Sequence, residues 1–463
     1  MTAIFVDEAI EELRARFRGE LIHPGSPNYD EARKVYNAMI DRHPAIIARC
    51  VDAGDVIAAV NYARANDILL AVRGGGHHGA GLSVCDDGLV VDLSLMKGVR
   101  VDPEARSATV MGGATLGDVD HATHAFGLAT PSGIISTTGV GGITLGGGVG
   151  HLTRGFGLAL DNFISADVVL ADGRFVTAIE TSHPDLFWAL RGGGGNFGVV
   201  TSFELKLHPV DTVYAGPMFW DIEQATEILK WYRKFLPAQS DELGGFFGFH
   251  IVPSTLPFPE EHWGKSVAII VWTYTGPLEN GDAVFAPIRE KFGPPLIDWV
   301  GPIPHPALNS MFDGLYPPGD QWYWKADFID DLTDEAIARH VEFGSKIPTW
   351  QSLTHLYPVD GAAGRVPNDA TAWKWRDAKW CQVIVGVSKD PADKDMITKW
   401  ARDYWEAVHP YSAGGAYVNM MMEEGQERVQ ASYGDNYDRL AQVKAKYDPG
   451  NLFRMNQNIK PRA

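Results

Sequence analysis

Apolar residues recur along this chain with two periods, and the switches between them mark the elements. Near the N-terminus Ile10, Leu13 and Phe17 share one face of an amphipathic helix. Asp55 is expected to cap a helix, DVIAAVNYARAND, and the strand ILLAVRG follows it. After the loop GGHHGAGLSVCDDG comes the strand LVVDLS, then VRVDPEARSATVMGG as a hairpin with Asp-Pro at its turn. GATLGDVDHATHAFGLA reads as a helix with Asp118 in its first turns. ISADVVLADGRFVTAI reads as a strand pair closed by Asp-Gly, HPDLFWALRGG as a short helix, and NFGVVTSFELKLHPV as a strand. Beyond residue 211 the texture changes. IEQATEILKWYRKFLPAQ and TDEAIARHVEFGSKI are helical, SVAIIVWTYTG and AKWCQVIVGVSKD alternate as strands, and proline-rich spacers separate them. QERVQASYGDNYDRLAQVKAKY is helical again. The expected fold class is α+β, with an antiparallel sheet flanked by helices in the second part.

Composition sharpens the division. Of 50 glycines in 463 residues, 27 lie between residues 71 and 200, whereas 13 of the 14 tryptophans lie between Trp220 and Trp405. One stretch is suited to close backbone approach and the other to large aromatic surfaces. The net charge of −18 argues against a nucleic-acid partner. Cys50, Cys85 and Cys381 form neither a disulfide framework nor a zinc pattern, which suits a reducing, cytoplasmic setting. No signal peptide precedes an apolar core and no run of 18 apolar residues exists, so no membrane partner is expected. Nothing points to a particular oligomer, and monomer or homodimer both stand.

Three glycine constellations carry the chemistry. The first, Arg73-Gly74-Gly75-Gly76-His77-His78, follows a strand, and its N–H groups could converge on a phosphate. The second runs from Gly133 to Gly150, and the third is Arg191 to Gly198. A Rossmann fingerprint would need a strand before the second run, a helix after it and an acidic residue about 20 positions on, and this run lies mid-domain. Three separated loops suggest a long ligand across backbone, such as a dinucleotide carrying a flat ring.

VRGGGHHGAG, TPSGIISTTGVGGITLGGGVGHLTRGFGLALDN, DLFWALRGGGGNFGVV and YDPGNLFRMNQNI, in this order, resemble the berberine-bridge-enzyme-like branch of the vanillyl-alcohol-oxidase flavoproteins, nearest to the 6-hydroxynicotine-oxidase type. The resemblance implies a two-lobed FAD-binding domain of the para-cresol-methylhydroxylase type over residues 1–210, a substrate domain over 211–410, and a segment over 411–463 returning to the FAD domain. It implies FAD tethered through its 8α-methyl group to His77. The second tether of many relatives is a cysteine, and Ile135 stands there. The implied FAD contacts are Arg73, Gly74, Gly75, Gly76, His77, His78, Gly81, Pro131, Ser136, Thr137, Thr138, Gly141, Gly142, Thr144, Gly147, Gly150, Asn162, Gly198, Val199, Val200, Asn419, Asn456 and Asn458.

The expected chemistry is hydride removal from a C–H of an alcohol, amine, phenolic or sugar-like small molecule, with reoxidation by O2. A dehydrogenase with another acceptor and a non-catalytic binder are the alternatives. The sequence departs from the family at the base. Relatives place Tyr or Glu where this chain has Met420 and Gln382, and neither can take a proton. Tyr274, Tyr323 and Asp327 are the substitute candidates for the base. Gln382 could orient substrate, and Lys325 could neutralise an anion. The pairs Trp322/Trp324 and Trp373/Trp375, with Trp380, are expected to supply at least two indoles to a substrate pocket.

Overall fold

The computed structural model describes residues 10–462. Strands β1 (Glu20–Ile22), β2 (Ile46–Arg49), β3 (Leu70–Arg73) and β4 (Leu89–Asp92) form a four-stranded sheet in the order β1-β2-β4-β3. β4 runs parallel to both neighbours, as a crossover through helix α1 (Ala53–Ala65) requires. The cap of α1 is Asp52, in extended conformation, whose side chain accepts from the Asp55 amide. Asp55, expected as the cap, lies one turn inside. Its carboxylate instead accepts from the backbone of Arg18, Gly19 and Val51, stitching the N-terminal segment to the helix.

Strands β5 (Val99–Asp102), β6 (Ser107–Met111), β7 (Phe163–Val169), β8 (Phe175–Ala178) and β9 (Val199–Lys206) form an antiparallel sheet ordered β5-β6-β9-β7-β8. Both hairpins foreseen from turn residues are present. Helix α2 (Leu116–His124) carries a full capping box between Thr115 and Asp118. The second glycine run, expected as loop, contains a short helix, α3 (Val140–Gly146).

The third sheet has eight strands. Its long members are β10 (Thr212–Asp221), β11 (Leu243–Ile251), β12 (Ser266–Tyr274), β13 (Gln321–Ile329), β14 (Leu353–Pro358) and β15 (Trp380–Ser388), ordered β10-β12-β11-β14-β15-β13. One face is covered by helices α4 (Ala225–Phe235), α5 (Asp334–Gly344) and α6 (Lys394–Val408). It buries Tyr232, Phe247, Phe249, Trp272 and Trp380 among them. The other face looks toward the glycine loops.

Helix α7 (Gln426–Tyr433) and helix α8 (Tyr437–Tyr447) lead the chain back to those loops. Buried Lys444 pairs with Asp448 at 2.6 Å and donates to the carbonyls of Asn196 and Phe453. This ties the tail to the third glycine constellation. Among the described residues no helix is long and apolar enough to cross a membrane.

Candidate active site

A cavity of about 280 Å³ lies between the glycine loops and the free face of the large sheet. One wall is backbone: Gly74 to Gly76, Gly133, Gly139, Gly142, Gly194 and Gly195. A Cβ on Gly75 would lie 2.3 Å from the Gly139 nitrogen, so the first two constellations cross with no room for a side chain. The opposite wall comes from alternate positions of five strands: His250 of β11, Ile269 and Val271 of β12, Trp322 and Trp324 of β13, Leu353, His355 and Tyr357 of β14, and Val383 and Val385 of β15. No Asp, Glu, Lys or Arg is among the described residues lining it.

His77 lines the cavity floor. Its ring stacks on Tyr36 with centroids 4.0 Å apart, and its Nε2 lies 3.2 Å from the Thr137 hydroxyl. Surrounding atoms strip it of water and push its pKa down to about 4, so it is neutral. His78 is held neutral by the same cause, and its Nδ1 accepts from the Ala80 amide.

Residues 44–178 match the FAD binding domain family, and residues 416–460 match the family described as berberine and berberine like. An FAD-linked oxidoreductase of Dictyostelium discoideum is 32% identical over 98% of this chain and 97% of its own length. This chain belongs to the berberine-bridge-enzyme-like FAD-linked oxidoreductases. The (R)-6-hydroxynicotine oxidase of Paenarthrobacter nicotinovorans is 31% identical over 96% of this chain and 97% of its own. Among solved structures, 6-hydroxy-D-nicotine oxidase from Arthrobacter nicotinovorans superposes with a TM-score of 0.86 at 26% identity, covering 96% of this chain and 98% of that one. A chitooligosaccharide oxidase superposes at 0.84 and 25% identity, covering 99% and 100%.

The cavity of this FAD-linked oxidoreductase fits its cofactor on observations of the chain itself. A Cβ on Gly142 would meet nothing within 4 Å, an open cradle at the cavity wall. Ser83 Oγ, Trp322 Nε1 and Trp324 Nε1 are buried at the cavity with no hydrogen-bond partner, which is costly unless a ligand supplies one.

Of the expected FAD contacts, the structure brings Gly74, Gly75, Gly76, His77, His78, Thr138, Gly142, Asn419 and Asn456 to the cavity, and Thr137 touches it through His77. The others lie elsewhere. Arg73 turns away to pair with buried Asp92 at 2.7 Å, because the strand alternation that exposes Gly74 buries its neighbour. Ser136 is bonded through amide and hydroxyl to Asp313. Pro131 and Thr144 line a separate small gap, and Asn162 bonds Phe156, Leu158 and His208. Gly81, Gly147, Gly150 and Gly198 are close-packing positions: added Cβ atoms would meet Ile40, Tyr417, the Ser132 and Gly133 carbonyls, and Val168. Gly141 packs toward the Gly112 carbonyl, and Val199 and Val200 pair with β7. Asn458 is outside the lining, and its carbonyl accepts from Gln426.

All five catalytic candidates are off the cavity, and strand geometry explains why. Trp322 and Trp324 face inward, so Tyr323, Lys325 and Asp327 on the same strand must face the helices. Tyr323 accepts from Arg402 at 2.8 Å, Lys325 pairs with Glu424 at 2.7 Å over the Trp405 ring, and Asp327 binds His409 and Arg428. Gln382 alternates with inward Val383, and Tyr274 packs with Tyr214 on the helix face. Of the tryptophans, Trp322 and Trp324 line the cavity with centroids 5.5 Å apart. Trp373 and Trp375 pack on Phe328, and Trp380 sits on the far face.

Sequence reasoning missed Tyr36, Ser83, Tyr316, Tyr417, His250, His355 and Tyr357. The last two alternate with apolar neighbours in LTHLYP, a strand not assigned from the sequence. Tyr417 stands two residues before Asn419, and both reach the cavity.

Proposed function

We propose that this chain oxidises a neutral, hydrophobic small molecule bearing a C–H beside an O–H or N–H, of the aromatic alcohol, phenolic or cyclic amine class. FAD would be carried on His77 through its 8α-methyl group and reoxidised by O2 to give H2O2. The observation that carries the substrate class is the lining: indoles, aliphatic side chains, hydroxyls and neutral imidazoles, with no ionic side chain. A charged substrate would lose its hydration there without a counter-ion. An oligosaccharide would find too few polar partners along the sheet wall. The 6-hydroxynicotine named for one relative, a planar ring, is of the favoured kind.

Gly74 to His77, Gly139, Gly142 and Asn456 would hold the cofactor, and Trp322 with Trp324 would roof its ring. The tether is supported by the environment of His77. If its Nε2–H donates to Thr137, its Nδ1 keeps a lone pair, the form a nucleophile needs. When bound, FAD supplies the two-electron acceptor and the route to O2. The protein supplies a dry cavity and fixed donors. Ile135, an aliphatic side chain on the cavity wall, offers no second tether.

Two measurements test this reading. Acid-precipitated protein is expected to stay yellow, with FAD mass on the peptide containing His77, and a colourless pellet overturns the tether. Anaerobic mixing with 6-hydroxynicotine, benzylic alcohols and chito-oligosaccharides is expected to bleach the flavin with members of the first two groups. Bleaching by the sugars alone overturns the substrate class. Slow recovery in air would favour another electron acceptor.

A further inference from the structure

No carboxylate is among the described residues lining the cavity and Met420 cannot take a proton, yet the sheet wall carries three hydrogen-bonded proton-bearing groups, two of them packed on Phe246. Tyr357 Oη lies 2.6 Å from His355 Nδ1, and His355 Nε2 lies 2.8 Å from His250 Nε2. All three side chains line the cavity. Tyr357 and His355 are 8% and 5% exposed, and His250 is the more open end. We propose that Tyr357 is the catalytic base, taking the proton of the substrate's O–H or N–H while its own proton moves through His355 toward His250.

The hydrogen bonds allow both polarities. Two facing Nε2 atoms at 2.8 Å need one proton between them. With that proton on His355, its Nδ1 is a lone pair and accepts the Tyr357 O–H. With it on His250, His355 Nδ1–H donates to the tyrosine oxygen. A chain that is complete in either direction can pass a proton without breaking contacts. The substrate carbon would give up its hydrogen with the C–H electron pair to the two-electron acceptor that bound FAD supplies, and the O–H or N–H proton would go to the Tyr357 oxygen. The Tyr357 proton goes to His355 Nδ1, the His355 Nε2 proton goes to His250, and the substrate gains a C=O or C=N bond.

Other groups at the cavity lack this arrangement. Tyr417 oxygen already accepts from the Gly148 amide at 2.8 Å and Asn419 at 2.9 Å. Tyr316 packs its ring on Trp322, with centroids 5.8 Å apart, and its backbone carbonyl accepts from Tyr36. The titratable groups around the chain are His151, Tyr316, Tyr417 and Cys381. Burial moves each of them toward its neutral form, so no fixed charge pins the proton. His355 and His250 are positioning residues acting through Tyr357.

The inference rests on the oxidoreductase reading, and the experiment separates the two. The holoenzyme is titrated with 4-nitrophenol, which has an acidic O–H but no transferable hydride, one unit below the probe's own pKa. The wild type is expected to hold a larger phenolate fraction of the bound probe than Tyr357→Phe and His355→Gln, in which the path to His250 is cut. The same spectrum in all three overturns the proposal, whether or not any substrate is found. With a panel compound that bleaches the flavin, Tyr357→Phe is expected to slow flavin reduction by about 10²- to 10⁴-fold with little change in KM. His355→Gln is expected to give a smaller loss with a displaced pH profile, and Tyr323→Phe on the far face to have no effect. Normal flavin spectra in the variants establish folding. Unchanged reduction in Tyr357→Phe overturns the assignment. If no panel compound bleaches the wild type, the substrate reading falls while the nitrophenol spectra still decide the relay.

Discussion

The glycine loops and the large sheet build facing walls of one cavity by opposite rules. In the loops, consecutive residues share the site: Gly74, Gly75, Gly76, His77 and His78 all reach it. Without side chains to alternate, a run of glycines can follow a ligand contiguously. In the sheet, every second residue is excluded, so Trp322 and Trp324 are inside while Tyr323 and Lys325 are tied to Arg402 and Glu424 outside. A contiguous motif is therefore a fair guide to the first wall and a misleading one to the second.

The largest expected effect strikes the loop wall. His77→Ala should abolish the acid-stable flavin entirely, read as a colourless precipitate, whereas the equivalent change at His78 should leave the tether in place. Both colourless would mean that the two histidines act together and that the motif cannot be read residue by residue.

Next comes the outward side of β13. Asp327→Ala removes a buried carboxylate shared by half-buried Arg428 and His409, leaving Arg428 only Glu424 at 3.8 Å, and should cost about 3 kcal/mol, as breaking buried pairs does. Urea unfolding would show the loss, while flavin reduction per folded molecule should hold. A collapse of that rate would place Asp327 in the chemistry and break the face argument.

Two glycines then sharpen the loop rule. Gly75→Ala drives a methyl into the Gly139 backbone, which cannot step aside, and should destabilise by roughly 2 kcal/mol. Gly142→Ala, in a helix with open space before it, should leave stability equal or up to about 1 kcal/mol higher. Its methyl enters the cavity, so FAD incorporation should fall. Equal flavin content in Gly142→Ala and wild type would count against this wall as the cofactor's bed.

The smallest effect at working pH comes from titration. Burial lowers His78, His250 and His305 to about 4, below the ordinary 6.5, so the unfolded chain takes up protons first on acidification. Stability should fall as the pH drops from 6.5 toward 4. Asp120 opposes this. Burial raises its pKa to about 7, so the folded state holds that proton and gains stability on acidification. Asp120→Asn should steepen the acid loss, as thermal unfolding across that window would show.

How much of this was legible follows from the same contrast. The hairpins at 99–111 and 163–178, helix α2 and the glycine loops followed from turn residues, caps and runs. Those signals act between near neighbours and need no partner from elsewhere. Strand β14 was missed because LTHLYP is short, mixes polar Thr354 and His355 with apolar residues, and is buried on both faces, a pattern with no clean period. With it went His355 and Tyr357. Arg73 was misplaced because its partner Asp92 comes from another strand, 19 residues on.

By itself the sequence determined the α+β character, the FAD-linked oxidoreductase family and the glycine bed around His77. These are properties of residue identity and local order. Only the tertiary structure decided which face of each strand meets the cavity, and so which tyrosines and histidines can touch a substrate. That choice is set by register across five strands and by the helices that bury the opposite face. It brought together Tyr357, His355 and His250, two of them 105 residues apart.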